Sequence, residues 1–320
     1  MIVEALLFLL WLVVLSWGAD RFVFGSSALA RNMGISPMII GLTIVAMGSS
    51  APEIMVSATA SLNGNTDTAI GNAIGSNITN IALVLGLTAL LKPLTVASTT
   101  LKREMPVMLG VSLLATYFLA DLYLSLNEGI VLFILFFFTI GGLAWMSYHM
   151  EKGDPLEQET HDEVPDGVPT KSAVIWLLVG LVLLPLSAHF MVESAVEIAR
   201  HFGLSDLVIG LTIIAIGTSL PELAASIAGV LKGEDDLALG NIIGSNIFNI
   251  LAVMAMPGLI SPGAVDPDAA SRDIYTMLGL SILLVLFCFN IRGSRRINRY
   301  EAVAFLGCFV AYQYFVFNQG

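Results

Sequence analysis

Charge is scarce in this sequence: Asp, Glu, Lys and Arg make up 12% of 320 residues, against 56% hydrophobic residues. A soluble core of that size does not need so much apolar surface, so the composition excludes an ordinary soluble domain and defines a membrane protein. Cysteine is nearly absent. Cys288 and Cys308 are the only two, both inside apolar segments, and they support neither a disulfide framework nor a cysteine metal site. No basic stretch precedes the first apolar run, which carries Glu4 and continues past Gly18, Ala19 and Asp20; it reads as a first spanning helix, not a cleaved leader. A nucleophile–base constellation and a nucleotide loop are also missing, which argues against an enzyme. No cofactor or nucleic-acid partner is implied.

The formal net charge of −11 is unevenly spread. Glu151, Asp154, Glu157, Glu159, Asp162, Glu163 and Asp166 fall in one stretch with Pro155, Pro165 and Pro169, which reads as a solvated acidic linker.

What the sequence does have is internal repetition. Gly41-Leu42-Thr43-Ile44-Val45-Ala46-Met47-Gly48-Ser49-Ser50 matches Gly210-Leu211-Thr212-Ile213-Ile214-Ala215-Ile216-Gly217-Thr218-Ser219 at seven of ten positions. At the same offset of 169 residues, 69–80 matches 238–249 at nine of twelve. The chain therefore divides into a first half (1–150), the acidic linker (151–171) and a second half (172–320). Apolar segments number five per half: near 2–20, 36–62, 68–91, 105–120 and 128–149, then 172–198, 206–231, 237–260, 274–291 and 301–318. An odd number per half sends the second half into the membrane upside down. The expectation is an all-α integral membrane protein of ten transmembrane helices, arranged as two inverted five-helix repeats. The basic residues agree. With the N-terminus outside, twelve of fourteen fall on the cytoplasmic side, leaving only Arg200 and Arg272, so both termini are expected on the non-cytoplasmic side.

Each half holds one glutamate deep in an apolar segment, Glu53 in the second and Glu222 in the seventh. An ionised carboxylate facing lipid costs several kcal/mol, so each should face protein or a watery cavity and needs a positive partner. No Lys or Arg lies between Arg31 and Lys92, between Arg200 and Lys232, or between Lys232 and Arg272. A mobile cation or a proton fits better than a resident salt bridge. Pro52 and Pro221 precede the glutamates and lack the N–H that would bond the carbonyls of Gly48 and Gly217, so helices 2 and 7 should break there. The break would free carbonyls around Ala46, Ser49, Ala215 and Thr218, which membrane depth tolerates only around a cavity. Carboxylates, carbonyls and hydroxyls are what a hard cation binds.

Ser76 with Asn80 and Ser245 with Asn249 are spaced i, i+4 and share a helix face, from which they could aim oxygens at the glutamates. Gly71 with Gly75 and Gly240 with Gly244 form small-residue pairs suited to close helix packing. Asn72, Asn77, Asn241 and Asn246 suit interhelical hydrogen bonds. Asp20, His189, Glu193 and Glu197 lie toward segment ends and read as solvated.

These paired motifs closely resemble the α-repeats of the cation/calcium exchanger superfamily, and the chain is similar over nearly its whole length to prokaryotic sodium/calcium exchangers of the bacterial inner-membrane type. The resemblance implies an inner-membrane antiporter exchanging Na⁺ for Ca²⁺, working as a monomer in the lipid bilayer. It implies that Glu53 and Glu222 are acidic ligands shared by both ions. Ser50, Ser219, Ser76 and Ser245 would add side-chain oxygens, Ala46, Ser49, Ala215 and Thr218 carbonyls or hydroxyls, and Asn80 and Asn249 would complete the cluster. Segments 1 and 6 would be the moving pair. Two departures stand out: Ser49 and Ala51 replace the commoner Thr and Leu or Val, and Asn249 stands where some relatives have Asp. The rival readings are a calcium/proton antiporter, a potassium-dependent exchanger, and a channel or non-transporting membrane scaffold.

Overall fold

A computed structural model describes residues 2–35, 37–148, 167–201, 215–288 and 296–319. The acidic stretch 151–166 and part of the seventh apolar segment, 206–214, lie outside the described residues.

The described chain is helical, in the order α1 (Ile2–Met33), α2 (37–49), α3 (Ala51–Leu62), α4 (Thr66–Leu91), α5 (Thr100–Asp121), α6 (Leu126–Tyr148), α7 (Thr170–His201), α8 (Ala215–Thr218), α9 (Leu220–Leu231), α10 (Asp235–Ile260), α11 (Ala269–Cys288) and α12 (Arg299–Gln319). Seven of these, α1, α4, α5, α6, α7, α10 and α11, are long and apolar enough to cross a membrane. The expected all-α content is qualified by two antiparallel ladders of two residues each. They pair β1 (Leu94–Thr95) with β4 (Arg296–Ile297), and β2 (Tyr123–Leu124) with β3 (Gly263–Ala264). Each ladder joins a loop of one half to a loop of the other, and β1 and β3 stand 169 residues apart, the offset of the sequence repeat.

Burial sorts the helices into a centre and a rim. The whole apolar stretch of α10 is buried and 72% of that of α4, against 17% for α1 and α6. Leu6, Leu9 and Val13 of α1 and Phe137 and Phe138 of α6 are exposed, as hydrocarbon-facing residues should be. The central pair runs antiparallel. The end of α4 meets the start of α10 where Lys92 pairs with Asp235 at 3.4 Å, and the start of α4 meets the end of α10 where Thr66 Oγ1 donates to the Ser261 carbonyl at 2.9 Å. The repeat-related helices α4 and α10 thus point in opposite directions.

α1 and α7, 32 residues each, pack along one another. Their backbones nearly touch: a Cβ on Gly25 would lie 2.4 Å from Leu177 N, and one on Gly180 would lie 2.3 Å from Phe22 Cβ. Apolar helices in hydrocarbon gain little from hiding apolar surface, so such close approach through small residues is what holds them together. The same device seats α2 on α10, where a Cβ on Gly244 would come within 2.7 Å of Ala46 Cβ. The expected packing role holds for Gly244, and the main chain at Gly240 lies 3.1 Å from where a Cβ on Gly41 would stand. Gly71 and Gly75 have nothing within 4 Å at their Cβ positions among the described residues.

Candidate functional site

The second segment breaks where the proline argument requires. α2 ends at Ser49, Ser50 leaves helical geometry at φ −84° and ψ 7°, and α3 resumes at Ala51 with Pro52 in its first turn. In the second half Ser219 adopts φ −89° and ψ 7° between α8 and α9, with Pro221 placed alike. Proline is well suited to a first turn, where its missing N–H has no helical partner to lose. Each break puts a glutamate at the head of a 12-residue helix buried against α4 and α10.

Glu53 is 1% exposed and Glu222 0%. No ion pair among the described residues involves either, so neither has a resident cation. Contacts from both halves converge on Glu222: Ser50 Oγ donates to its Oε1 at 3.3 Å, and Ser245 Oγ lies 3.5 Å from the same oxygen. Ser49 Oγ is 3.4 Å from Ser245 Oγ and donates to Asn241 Oδ1 at 3.1 Å. Several buried polar atoms here lack a partner among the described residues: Glu53 Oε2, Glu222 Oε2, Ser219 Oγ and both amide atoms of Asn80 and of Asn249. Such atoms are costly to bury unpaired. An oxygen-rich, net-negative pocket of this kind fits a hard cation as the species transported.

Of the twelve residues anticipated, Ser49, Ser50, Glu222 and Ser245 form one bonded cluster. Glu53, Ser76, Ser219, Asn80 and Asn249 are buried. Ala46 differs from expectation. Its carbonyl is not freed by the break but accepts from Ser50 N at 2.9 Å and Ser49 Oγ at 3.4 Å, because the chain stays helical up to Ser49. Ala215 and Thr218 are the first and last residues of α8, which ends one residue before the second break at Ser219.

Three features escaped the sequence. Asn80 and Asn249 sit in π-helical turns, Thr79–Leu85 and Asn249–Val253, placed at equivalent points of the two halves. Wide turns of this type are rare and concentrate at functional sites. Ser57 Oγ donates to the Val253 carbonyl at 2.9 Å, tying α3 to the second of these turns. Asp20, read as solvated, is partly exposed and in addition pairs with Lys232 at 2.8 Å and with Arg21 at 3.3 Å. Lys232 is 212 residues away in the chain and meets Asp20 only after α1 packs on α9.

A membrane helix bundle with a buried carboxylate pair and no countercharge among the described residues defines the cation-transporter class. The profile of the family described as "Sodium/calcium exchanger protein" matches residues 3–145 and 172–318, and the chain belongs to that family. It is 56% identical over 318 residues to "Putative antiporter CaxA" of Alkalimonas amylolytica, covering 99% of this chain and all of that one. It is 44% identical over 314 residues to "Inner membrane protein YrbG" of Escherichia coli (strain K12), covering 98% and 96%. Among solved structures, the sodium-calcium exchanger NCX_Mj superposes with a TM-score of 0.83 at 34% identity, over 97% of each chain. The protein is a multi-pass membrane antiporter of the bacterial cation/calcium exchanger type.

Proposed function

We propose that this protein exchanges Na⁺ for Ca²⁺ by alternating access at a single site built around Glu53 and Glu222. The observation that carries the reading is the burial of both carboxylates with no ion pair to either among the described residues. Two carboxylates give the pocket a charge of −2, which one Ca²⁺ neutralises and which two or three Na⁺ can occupy in its place. Exclusive occupancy couples the two fluxes. Ser49, Ser50, Ser76, Ser219 and Ser245 supply hydroxyls, Asn80 and Asn249 amide oxygens, and Ala46, Ala215 and Thr218 further oxygens.

The scaffold we propose is the ten-helix inverted repeat, 1–150 and 172–320 joined by the linker 151–171, with both termini on the non-cytoplasmic face of the inner membrane. The antiparallel run of α4 and α10 supports the inversion. α1 and α7, which lie at the rim and pack mainly on each other, are the pair that moves past the core. The protein works as a monomer.

Sealed vesicles loaded with Na⁺ test the reading. Calcium uptake should collapse when the outward Na⁺ gradient is removed and should be indifferent to K⁺. Uptake driven by a pH gradient and blind to Na⁺ would transfer the assignment to a calcium/proton antiporter. Uptake that survives both Glu53→Ala and Glu222→Ala would refute the site.

A further inference from the structure

Asn72 and Asn241 occupy the same place in the two repeats and make the same bond. Asn72 Nδ2 donates to the main-chain carbonyl of Glu53 at 3.0 Å, and Asn241 Nδ2 to that of Glu222 at 3.4 Å, each reaching back 19 residues. Asn241 does more. Its Nδ2 also lies 3.3 Å from Ser226 Oγ, and its Oδ1 accepts from Ser49 Oγ of the first half. One buried amide thereby connects the second half's glutamate to the first half's broken helix.

We propose that Asn72 and Asn241 are positioning residues of the ion site, each fixing the backbone from which its glutamate projects while touching no ion itself. Each glutamate stands in the first turn of a helix that begins after a break, the part of a helix with fewest internal bonds. An amide from the neighbouring long helix clamps that turn, leaving the carboxylate only its side-chain torsions to adjust. A ligand held in place beforehand loses less freedom when the cation arrives, and so binds it more tightly. The appearance of one bond in both halves, at residues separated by the repeat offset, marks it as part of the repeated site rather than an accident of local packing. The inference rests on the reading of Glu53 and Glu222 as cation ligands.

The test uses the full-length protein carrying Asn72→Ala, Asn241→Ala or the corresponding Gln substitutions, alongside Glu53→Gln and Glu222→Gln. Two quantities are read: Ca²⁺ affinity of the purified protein, and the KM and maximal rate of Na⁺-driven Ca²⁺ uptake in vesicles. Loss of one net hydrogen bond predicts that Asn72→Ala weakens Ca²⁺ affinity and raises KM about three- to tenfold, and Asn241→Ala, which also gives up its contacts with Ser49 and Ser226, at least as much. Maximal rate and calcium-free melting temperature should change little, and Gln, which keeps the amide, should restore part of the affinity. Unchanged affinity in both Ala variants sinks the inference, as does a fall in melting temperature with affinity intact. If an Ala variant does not fold, the Gln variant decides: affinity equal to that of the parent overturns the proposal, and a smaller weakening of the same sign supports it. Ca²⁺ binding that persists in both Glu→Gln proteins would instead remove the reading of the site itself, a failure distinct from this one.

Discussion

Ser50 of the first half donates its hydroxyl hydrogen to Oε1 of Glu222 in the second, across 3.3 Å. The bond crosses between repeats, so the position of one carboxylate depends on the break in the other half's helix. Removing it with Ser50→Ala strips a charge-assisted bond from a buried oxygen, a change on the order of 1.5–3 kcal/mol. The expected outcome is an increase in the calcium KM of roughly ten- to a hundredfold, read from uptake into Na⁺-loaded vesicles. Ser50→Thr, which keeps the hydroxyl, should lie much closer to the parent.

The carboxylates themselves should be indispensable and unequal in their surroundings. Oε1 of Glu222 accepts from Ser50 and approaches Ser245, whereas no side chain among the described residues donates to the Glu53 carboxylate; Oε2 of each has no partner among those residues. Glu53→Gln and Glu222→Gln each halve the charge of the pocket and should abolish calcium uptake. Because a neutral amide is easier to bury than an unpaired carboxylate, neither should lower the calcium-free melting temperature, and both should raise it by a few degrees. Differential scanning fluorimetry in detergent gives the answer, with a melting temperature several degrees below that of the parent counting against the argument.

Lys232 caps α9 and reaches α1, where its Nζ lies 2.8 Å from both the Asp20 carboxylate and the Asp20 carbonyl. The repeat offset places Asn63 and His189 at the corresponding positions, so the ion pair has no charged counterpart in the other half. If α1 shifts against the core during exchange, this bond must break on one membrane face only. Both side chains are partly exposed, and pairs of that kind contribute about 0.2–1 kcal/mol. Asp20→Asn should therefore change the ratio of calcium KM values measured from the two sides by no more than about fivefold. The charge-swapped double variant Asp20→Lys with Lys232→Asp should return the ratio toward that of the parent.

Much of this site was legible in one dimension, and the reasons are specific. Glu53 and Glu222 stood out because the absence of Lys and Arg around them is a property of the string, and Pro52 and Pro221 because each lacks the N–H that an i→i−4 bond needs, although the same lack at Pro185 leaves α7 continuous. The repeat offset and a count of segments led to the expectation of inversion, which the antiparallel run of α4 and α10 supports. The Asp20–Lys232 pair was not legible, since nothing local announces a partner 212 residues away. The π turns at Asn80 and Asn249 were equally hidden, because one extra residue in a turn leaves no trace in hydropathy. The freed carbonyl expected at Ala46 failed for a local reason: the chain keeps its helical bonds until Ser49 and turns only at Ser50.

The crossing of α1 and α7 offers a test of the moving parts. At Gly25 a Cβ would lie 2.4 Å from Leu177 N and 2.7 Å from the Ala173 carbonyl, both main-chain atoms that cannot swing aside as a side chain tip would. Gly25→Ala must push the two helices apart, and overpacking of this sort typically costs about 1–3 kcal/mol. Gly141 of α6 has open space at its Cβ position and serves as the control. If α1 and α7 travel as a unit, Gly25→Ala should lower the maximal exchange rate severalfold while leaving calcium affinity of the purified protein near that of the parent, because the crossing does not touch the carboxylates. Gly141→Ala should leave both unchanged. A Gly25→Ala protein that exchanges at the parental rate would show that the tight crossing is not needed for transport, and the moving pair would have to be sought elsewhere in the bundle.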